Sequence, residues 1–193
     1  MRLALDLSPL FLYNGAMREQ KSIVIYLLRV LFLVLTALTL VFIFAQSTQD
    51  GEASSQQSEQ VTVQVQEIVG AIAPESPIAT ATGEQFDLLH ALVRSAAHFV
   101  EYATLGLFAF ASYLSFTRKK RYAPLVPLAI AFVAVFDECV QTMTAGRAAQ
   151  GEDLLTDILG GGIGCLFALI MFCIVLLLTT IVRQKRQKRE NSV

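Results

Sequence analysis

The stretch DLLTDILGGGIGCLFALIMFCIVLLLTTIV, residues 153–182, carries two signals in one run. After Asp157 it holds no charged residue up to Val182. A bilayer span needs about 20 mostly apolar residues, so the segment from about Leu154 to Val182 is long enough to cross, with length left to tilt or project. Asp153, Asp157, Gly160 and Gly164 recur at i, i+4, i+7 and i+11, which is a single stripe of a helix. The Gly160-to-Gly164 spacing is the small-residue pattern that lets helix backbones approach closely in lipid. The helix that presents two carboxylates is therefore also built to pack tightly beneath them.

Three more apolar segments meet the same length criterion: Ile23 to Ala45, about Ser95 to Thr117, and about Ala123 to Met143. With 54% hydrophobic and 16% charged residues, the chain is too oily for an ordinary soluble domain of its length. The expected fold is all-α, an integral membrane bundle of four transmembrane helices.

Orientation follows from the basic residues, which favour the cytoplasmic side. Of the 15 Lys and Arg residues, all but Arg94 and Arg147 fall in the N-terminal region, the Arg118-Lys119-Lys120-Arg121 loop or the tail. Both termini are thus expected in the cytoplasm and the protein in the cell membrane as a multi-pass chain. Residues 1–22 form a cytoplasmic N-terminal segment, 23–182 the membrane domain and 183–193 a basic cytoplasmic tail. Arg29, near the start of the first span, can snorkel to the headgroups and is read as an anchor. The first span is longer than the roughly 7–15-residue core of a cleavable signal peptide, and Phe44-Ala45-Gln46 is a poor cleavage site, so it is read as retained. Cys139, Cys165 and Cys173 are odd in number, lack metal-like spacing and are read as small packing residues.

Residues 46–86 form an inserted polar loop, expected outside the cell. Thr48 to Gln60 is rich in Ser, Gln, Asp and Glu and too poor in apolar residues to order itself. VTVQVQEIVGAIA, Val61 to Ala73, alternates and then turns apolar; a short strand and an interfacial helix both fit. Pro74 and Pro77 end it. Phe86, Leu89 and Val93 then recur at helical spacing and lead into the second span.

Four polar clusters lie where apolar segments meet that same outer face: Gln46-Ser47; His98 with Glu101; Asp137-Glu138 with Gln141; and Arg147 with Asp153 and Asp157. Ionisable groups within a bilayer cost roughly 2.5–3.5 kcal/mol each on insertion scales and are functional candidates by default. HFVEY places His98 and Glu101 on one helical face, a turn beyond Arg94. Glu138 and Gln141 share a face, as do Asp137 and Gln141. A structural account exists for each alone: Arg94 and Arg147 could neutralise Asp157, Glu101 or Glu138, and Asp153 could cap the last helix. Together the carboxylates exceed what two arginines and one histidine need. His98, Glu101, Asp137, Glu138, Gln141, Arg147, Asp153 and Asp157 are therefore the candidate ligand-binding set, with Gly160 and Gly164 as helix-packing residues.

These blocks carry a resemblance. RSAAHFVEY (Arg94 to Tyr102), FDECVQ (Phe136 to Gln141), Gly146-Arg147 and D-x3-D-x2-G-x3-G (Asp153 to Gly164) resemble, in order and spacing, the VanZ-like family of small bacterial membrane proteins. The likeness covers about Ile23 to Val182. Family members often carry Arg-Lys ahead of the small-residue-His-Phe motif; here the Lys position is Ser95, so any role of that lysine is lost or moved. The family takes its name from a protein that accompanies glycopeptide-resistance genes and lowers sensitivity to teicoplanin. The resemblance thus implies an envelope-linked role but does not by itself make this chain a resistance factor.

Three classes of function fit these residues. The first is a binding or accessory protein whose outward polar pocket takes a headgroup, lipid-linked envelope precursor or amphiphile. The alternative is a membrane-embedded hydrolase or transferase that uses the carboxylates, with His98, Glu101 and the Asp and Glu residues as oxygen-rich ligands for Mg²⁺ or Mn²⁺. No nucleophile stands beside a base in a recognisable motif, which favours the first. A transporter would show broken helices in matching halves, and none are seen. No cofactor and no metal are expected, the partners are membrane lipids, and a nucleic-acid role is set aside because topology and anionic lipid explain the basic loop and tail. The orientation is tested by cysteines introduced at Ser55, Ala148 and Ser192 in a cysteine-free background. A membrane-impermeant thiol reagent applied to intact cells should label the first two and not the third; labelling at Ser192 alone would reverse the topology.

Overall fold

The computed structural model describes residues 8–117, 119–147 and 151–191; for residues 8–22, Lys120, Arg186 and Glu190 it describes the backbone only. Arg118 of the basic loop, and Ala148 and Ser192, lie outside the described residues. Within them the chain is helical: α1 (Ser8–Ser47), α2 (Gly51–Ile72), α3 (Glu84–Phe116), a short 3-10 turn at Lys120–Tyr122, α4 (Leu125–Thr142) and α5 (Gly151–Glu190). Four of these contain stretches long and apolar enough to cross a membrane: Ile23–Ser47, Glu84–Phe116, Leu125–Thr142 and Gly151–Arg189. The protein is an all-α membrane protein.

Helix ends differ from the sequence boundaries for local reasons. α4 starts after Pro124, and Pro127 sits in its first turn, where a missing N–H leaves no bond unmade. α3 begins at Glu84 rather than Ser95, because the amphipathic lead-in runs into the span as one helix. α5 continues past Val182 to Glu190, taking most of the basic tail with it. Asp153 lies inside the first turn of α5 with Glu152, one turn or less from the helix start, rather than at the cap. There it still faces the positive end of the helix dipole.

Residues 46–86 require the largest correction. Thr48 to Gln60 is ordered, and of the two readings open for Val61 to Ala73 the helix holds and the strand does not: both stretches belong mainly to the 22-residue α2. Asp50 caps that helix by accepting from the Ala53 amide at 2.7 Å. Gly51 donates its amide to the Ala145 carbonyl at 3.0 Å. A Cβ on Gly51 would collide with the Gly146 carbonyl, and Gly146 itself has φ +74, so both positions need glycine. At the far end Gln66 Nε2 donates to the carbonyls of Ile78 and Ala81 at 3.1 and 2.9 Å, and Thr62 is fully buried. Anchors far apart in sequence thus order a segment that has no continuous apolar stripe.

α3 is the central helix and packs against each of the other four. Its contact with α5 is the closest, and glycine makes it so. A Cβ placed on Gly160 would lie 2.5 Å from the Phe99 carbonyl oxygen; one on Gly164 would run into the Ala103 carbonyl, and one on Gly106 into that of Gly161. Around this seam Ile43, Tyr102, Leu105, Phe110, Ile130, Ala134, Cys165 and Ala168 form the buried core. Cys165 serves the packing role, whereas Cys139 and Cys173 face outward. At the opposite end from the polar clusters, Arg29 Nε donates to the Ser115 carbonyl at 2.8 Å and its guanidinium lies over the Phe116 ring. The anchor residue therefore also ties α1 to the end of α3. Elsewhere α1 and α5 expose Leu, Ile, Val and Phe, faces suited to lipid contact.

The glycine seam has a matched internal control. Gly164→Ala should lower thermal stability in detergent by about 1–3 kcal/mol, as expected for overpacking. Gly162→Ala, where a Cβ meets nothing within 4 Å, should be neutral or slightly stabilising. Equal effects of the two changes would contradict a backbone-contact seam.

Candidate functional site

At the end of the bundle where α1 and α4 finish and α5 begins, the helices bring most of the polar residues together. α3 contributes Arg94, His98 and Glu101 from successive turns of one face. α5 faces them with Asp153 and Asp157, 4% and 2% exposed. Arg94 Nε lies 3.6 Å from Asp153 Oδ2, and His98 Nδ1 lies 3.3 Å from Asp157 Oδ1. Burying a charge without a partner is prohibitive, so each buried α5 carboxylate is matched by a basic side chain of α3.

Asp137 of α4, 1% exposed, is satisfied differently. It accepts from the Ser47 hydroxyl at the end of α1 and from Gln141 Nε2 at 2.8 Å, one turn further along its own helix. Ser47 is also gripped through its backbone, because Thr144 Oγ1 donates to its carbonyl at 3.2 Å. The beginning of the α4–α5 connection therefore clasps the α1 terminus. The hydroxyl of Tyr102, a fully buried residue, makes no hydrogen bond among the described residues.

Arg147 is placed otherwise than its sequence grouping with Asp153 and Asp157 suggested. It donates through Nη2 to the Gln46 carbonyl at 3.2 Å and has no carboxylate within ion-pair distance among the described residues. Burial and the neighbouring Arg94 lower its pKa, while Asp137, Asp153 and Glu138 act in the opposite direction. A guanidinium stays protonated through such shifts. Two cationic side chains thus stand near one another at this end of the molecule.

A cleft of about 220 Å³ lies among these groups, lined by Gln46 and Ser47, by Arg94, His98 and Glu101, by Asp137 and Gln141, and by Arg147. Asp153 and Asp157 lie behind its wall, paired to Arg94 and His98, and Glu138 is half-buried away from the lining. Glu101 forms no ion pair among the described residues. The remaining wall comes from α2, through Ser54, Gln57, Ser58 and Val61. These four are spaced i, i+3, i+4 and i+7, one face of a helix, a polar stripe that sequence reading passed over because it sought apolar ones. Among the described residues, no three His, Cys, Asp or Glu side chains are grouped as a metal ion needs.

Among the buried polar atoms around this cleft without a hydrogen bond to the described residues, Arg94 Nε and Asp153 Oδ2, and His98 Nδ1 and Asp157 Oδ1, face each other in the two ion pairs, which leaves Arg147 Nε and, a turn before Arg94, His90 Nε2 unsatisfied. Each unsatisfied buried group costs about 1–3 kcal/mol. Their concentration at one end of one bundle marks it as chemically distinct from the rest of the protein.

A family model described as VanZ/LLP1 matches residues 32–187. No curated protein and no solved structure shows significant similarity to the chain.

The Ser47–Asp137–Gln141 knot gives a stability test. Asp137→Ala orphans two donors and should cost about 1–3 kcal/mol of unfolding free energy in detergent. In a double-mutant cycle with Ser47→Ala, the coupling should exceed about 0.5 kcal/mol, as for residues in direct contact. Strict additivity would mean that the two side chains do not interact.

Proposed function

The chain belongs to the VanZ/LLP1 family, and from that premise we propose that it is a multi-pass cell-membrane protein, both termini cytoplasmic, whose outward-facing polar cleft binds the headgroup of an envelope amphiphile. The role is one of binding or of an accessory to other envelope components. It is linked to glycopeptide response through the family's namesake, which lowers teicoplanin sensitivity. The observation that carries the reading is the lining itself: Arg94, His98, Glu101, Asp137 and Arg147, from two helices and a connecting segment, surround one cleft. A purely structural network would consume its charges in pairs. Here Asp153 and Asp157 are so consumed and Asp137 is held by neutral donors, whereas Glu101 and Arg147 border the cleft without an ion-pair partner among the described residues.

The enzyme alternative would draw on His98 beside Asp157, a base with a carboxylate to orient it. His98 Nδ1 is turned to Asp157, and no hydroxyl or thiol of the described residues bonds to either nitrogen of the imidazole, so an activated nucleophile has no observation behind it and the binding reading is favoured.

Glu101→Gln separates site from scaffold, because Gln keeps size and hydrogen-bonding capacity but not charge. The variant should reach the membrane at wild-type levels with a thermal midpoint close to wild type. It should also lose the shift in teicoplanin susceptibility that the wild-type chain confers when expressed in a sensitive bacterium, along with the amphiphiles that co-purify with the wild type. A fully active Glu101→Gln protein would remove the cleft from consideration.

A further inference from the structure

Beside the polar cleft lies a second cavity of about 330 Å³, open between α1 and α3. The two share Phe42 and Glu101. Its other walls include Leu35 and Leu38 from α1 and Val100 and Thr104 from α3. The Thr104 hydroxyl is spent within its own helix, donating to the Val100 carbonyl at 2.7 Å. Thr39, on the facing wall, does the same to Leu35 at 2.8 Å. Glu101 is thus the first unspent polar side chain met on passing along this groove into the cleft. Leu38 and Val100 are 59% and 60% exposed, so the groove opens on the lipid-facing side of the bundle. From Leu35 to Phe42 it follows about 10 Å of helix at 1.5 Å per residue.

The polar end has its own selectivity. Arg94 shares its charge with Asp153, but Arg147 is held only by a backbone carbonyl, with Nε buried and unbonded among the described residues. Paired guanidiniums suit the geometry and charge of a phosphate. Glu101, an acceptor at the junction, suits a hydroxyl or ammonium donor on the same headgroup. Resting on the binding reading above, we propose that cleft and groove are one site for a phosphate-bearing bilayer lipid. Its phosphate sits against Arg94 and Arg147, a headgroup hydroxyl or amine is held by Glu101, and one hydrocarbon chain lies between α1 and α3. The lipid enters sideways from the bilayer, since the groove is open to it.

The probe is phosphatidylglycerol, added to delipidated protein in detergent and read by native mass spectrometry and by thermal shift. Long-chain phosphatidylglycerol should bind at least tenfold more tightly than diacylglycerol, which lacks the phosphate, and than glycerol phosphate, which lacks the chains. Arg147→Gln should weaken long-chain binding at least tenfold. Val100→Trp, and independently Leu38→Trp on the facing wall, should weaken long-chain binding while leaving dihexanoyl-phosphatidylglycerol nearly unchanged. Equal binding of diacylglycerol, or an unaffected Arg147→Gln protein, overturns the phosphate assignment. Glycerol phosphate binding as tightly as the lipid, or two unaffected tryptophan variants, overturns the groove while leaving the polar cleft as a headgroup site. If no phospholipid binds yet Glu101→Gln still abolishes the cellular effect, the lipid site falls and the broader binding reading stands. The wild-type ligand comparisons decide the matter even if a variant fails to fold.

Discussion

The backbone contact between α3 and α5 sets everything above it. In lipid, helices gain nothing from hiding apolar surface from each other, since lipid tails are as apolar as leucine. Association depends instead on close packing and on polar groups that pair across the interface. Gly160 and Gly164 bring α5 onto the carbonyls of Phe99 and Ala103, and Gly106 returns the contact on α3. That contact fixes the register of the two helices along their length. Asp157 stands three residues before Gly160, and His98 one residue before Phe99, so closing the seam brings the two into contact at 3.3 Å. Asp153 and Arg94, one turn further out, follow from the same register.

A second constraint joins α1 and α4. Asp137 is deeply buried, and Ser47 and Gln141 supply the hydrogen bonds that its carboxyl oxygens need there. Because Thr144 and Arg147 both bond backbone carbonyls at the end of α1, the α4–α5 connection cannot move without disturbing that terminus. The start of α2 is then docked through Gly51 onto Ala145. The polar end of the bundle is assembled from elements far apart in sequence, each of which meets a need of another.

The spans were legible from sequence because the requirement behind them is one-dimensional: enough consecutive apolar residues to cross hydrocarbon. The polar stripes were legible too, since Arg94, His98 and Glu101, or Asp153 and Asp157, declare a shared face by spacing alone. Partner choice was not. Spacing places a residue on a face but says nothing of the rotation and register of the helix opposite, which is why Asp157, Glu101 and Glu138 read as the partners open to Arg94 when it pairs with Asp153. The same limit hid Glu138, whose neighbour Asp137 turns inward while it stays off the cleft. The first half of α2 was missed for another reason. Its order comes from Asp50, Gly51, Thr62 and Gln66 meeting distant backbone and packing surfaces, and composition alone is blind to such contacts.

The two kinds of charge at this end of the molecule call for different readings of any loss of function. Removing Asp157 strands His98, and removing Asp153 strands Arg94; breaking one partner of a buried pair typically costs about 3–5 kcal/mol, so such losses report on the bundle before they report on a ligand. Glu101 and Arg147 stand in no ion pair among the described residues, although Arg147 still feels the charges of Asp137, Asp153 and Glu138. Holding them beside a cleft has a desolvation cost that no ion pair within the described residues offsets. Arg147 has a structural tie in its bond to the Gln46 carbonyl, whereas Glu101 has no ion pair among the described residues, and a neutral side chain of similar size would avoid its desolvation cost. Glu101 where cleft and groove adjoin, and Arg147 within the cleft, are the groups the proposed amphiphile site would use, charge for the headgroup at one end and an open hydrocarbon wall at the other.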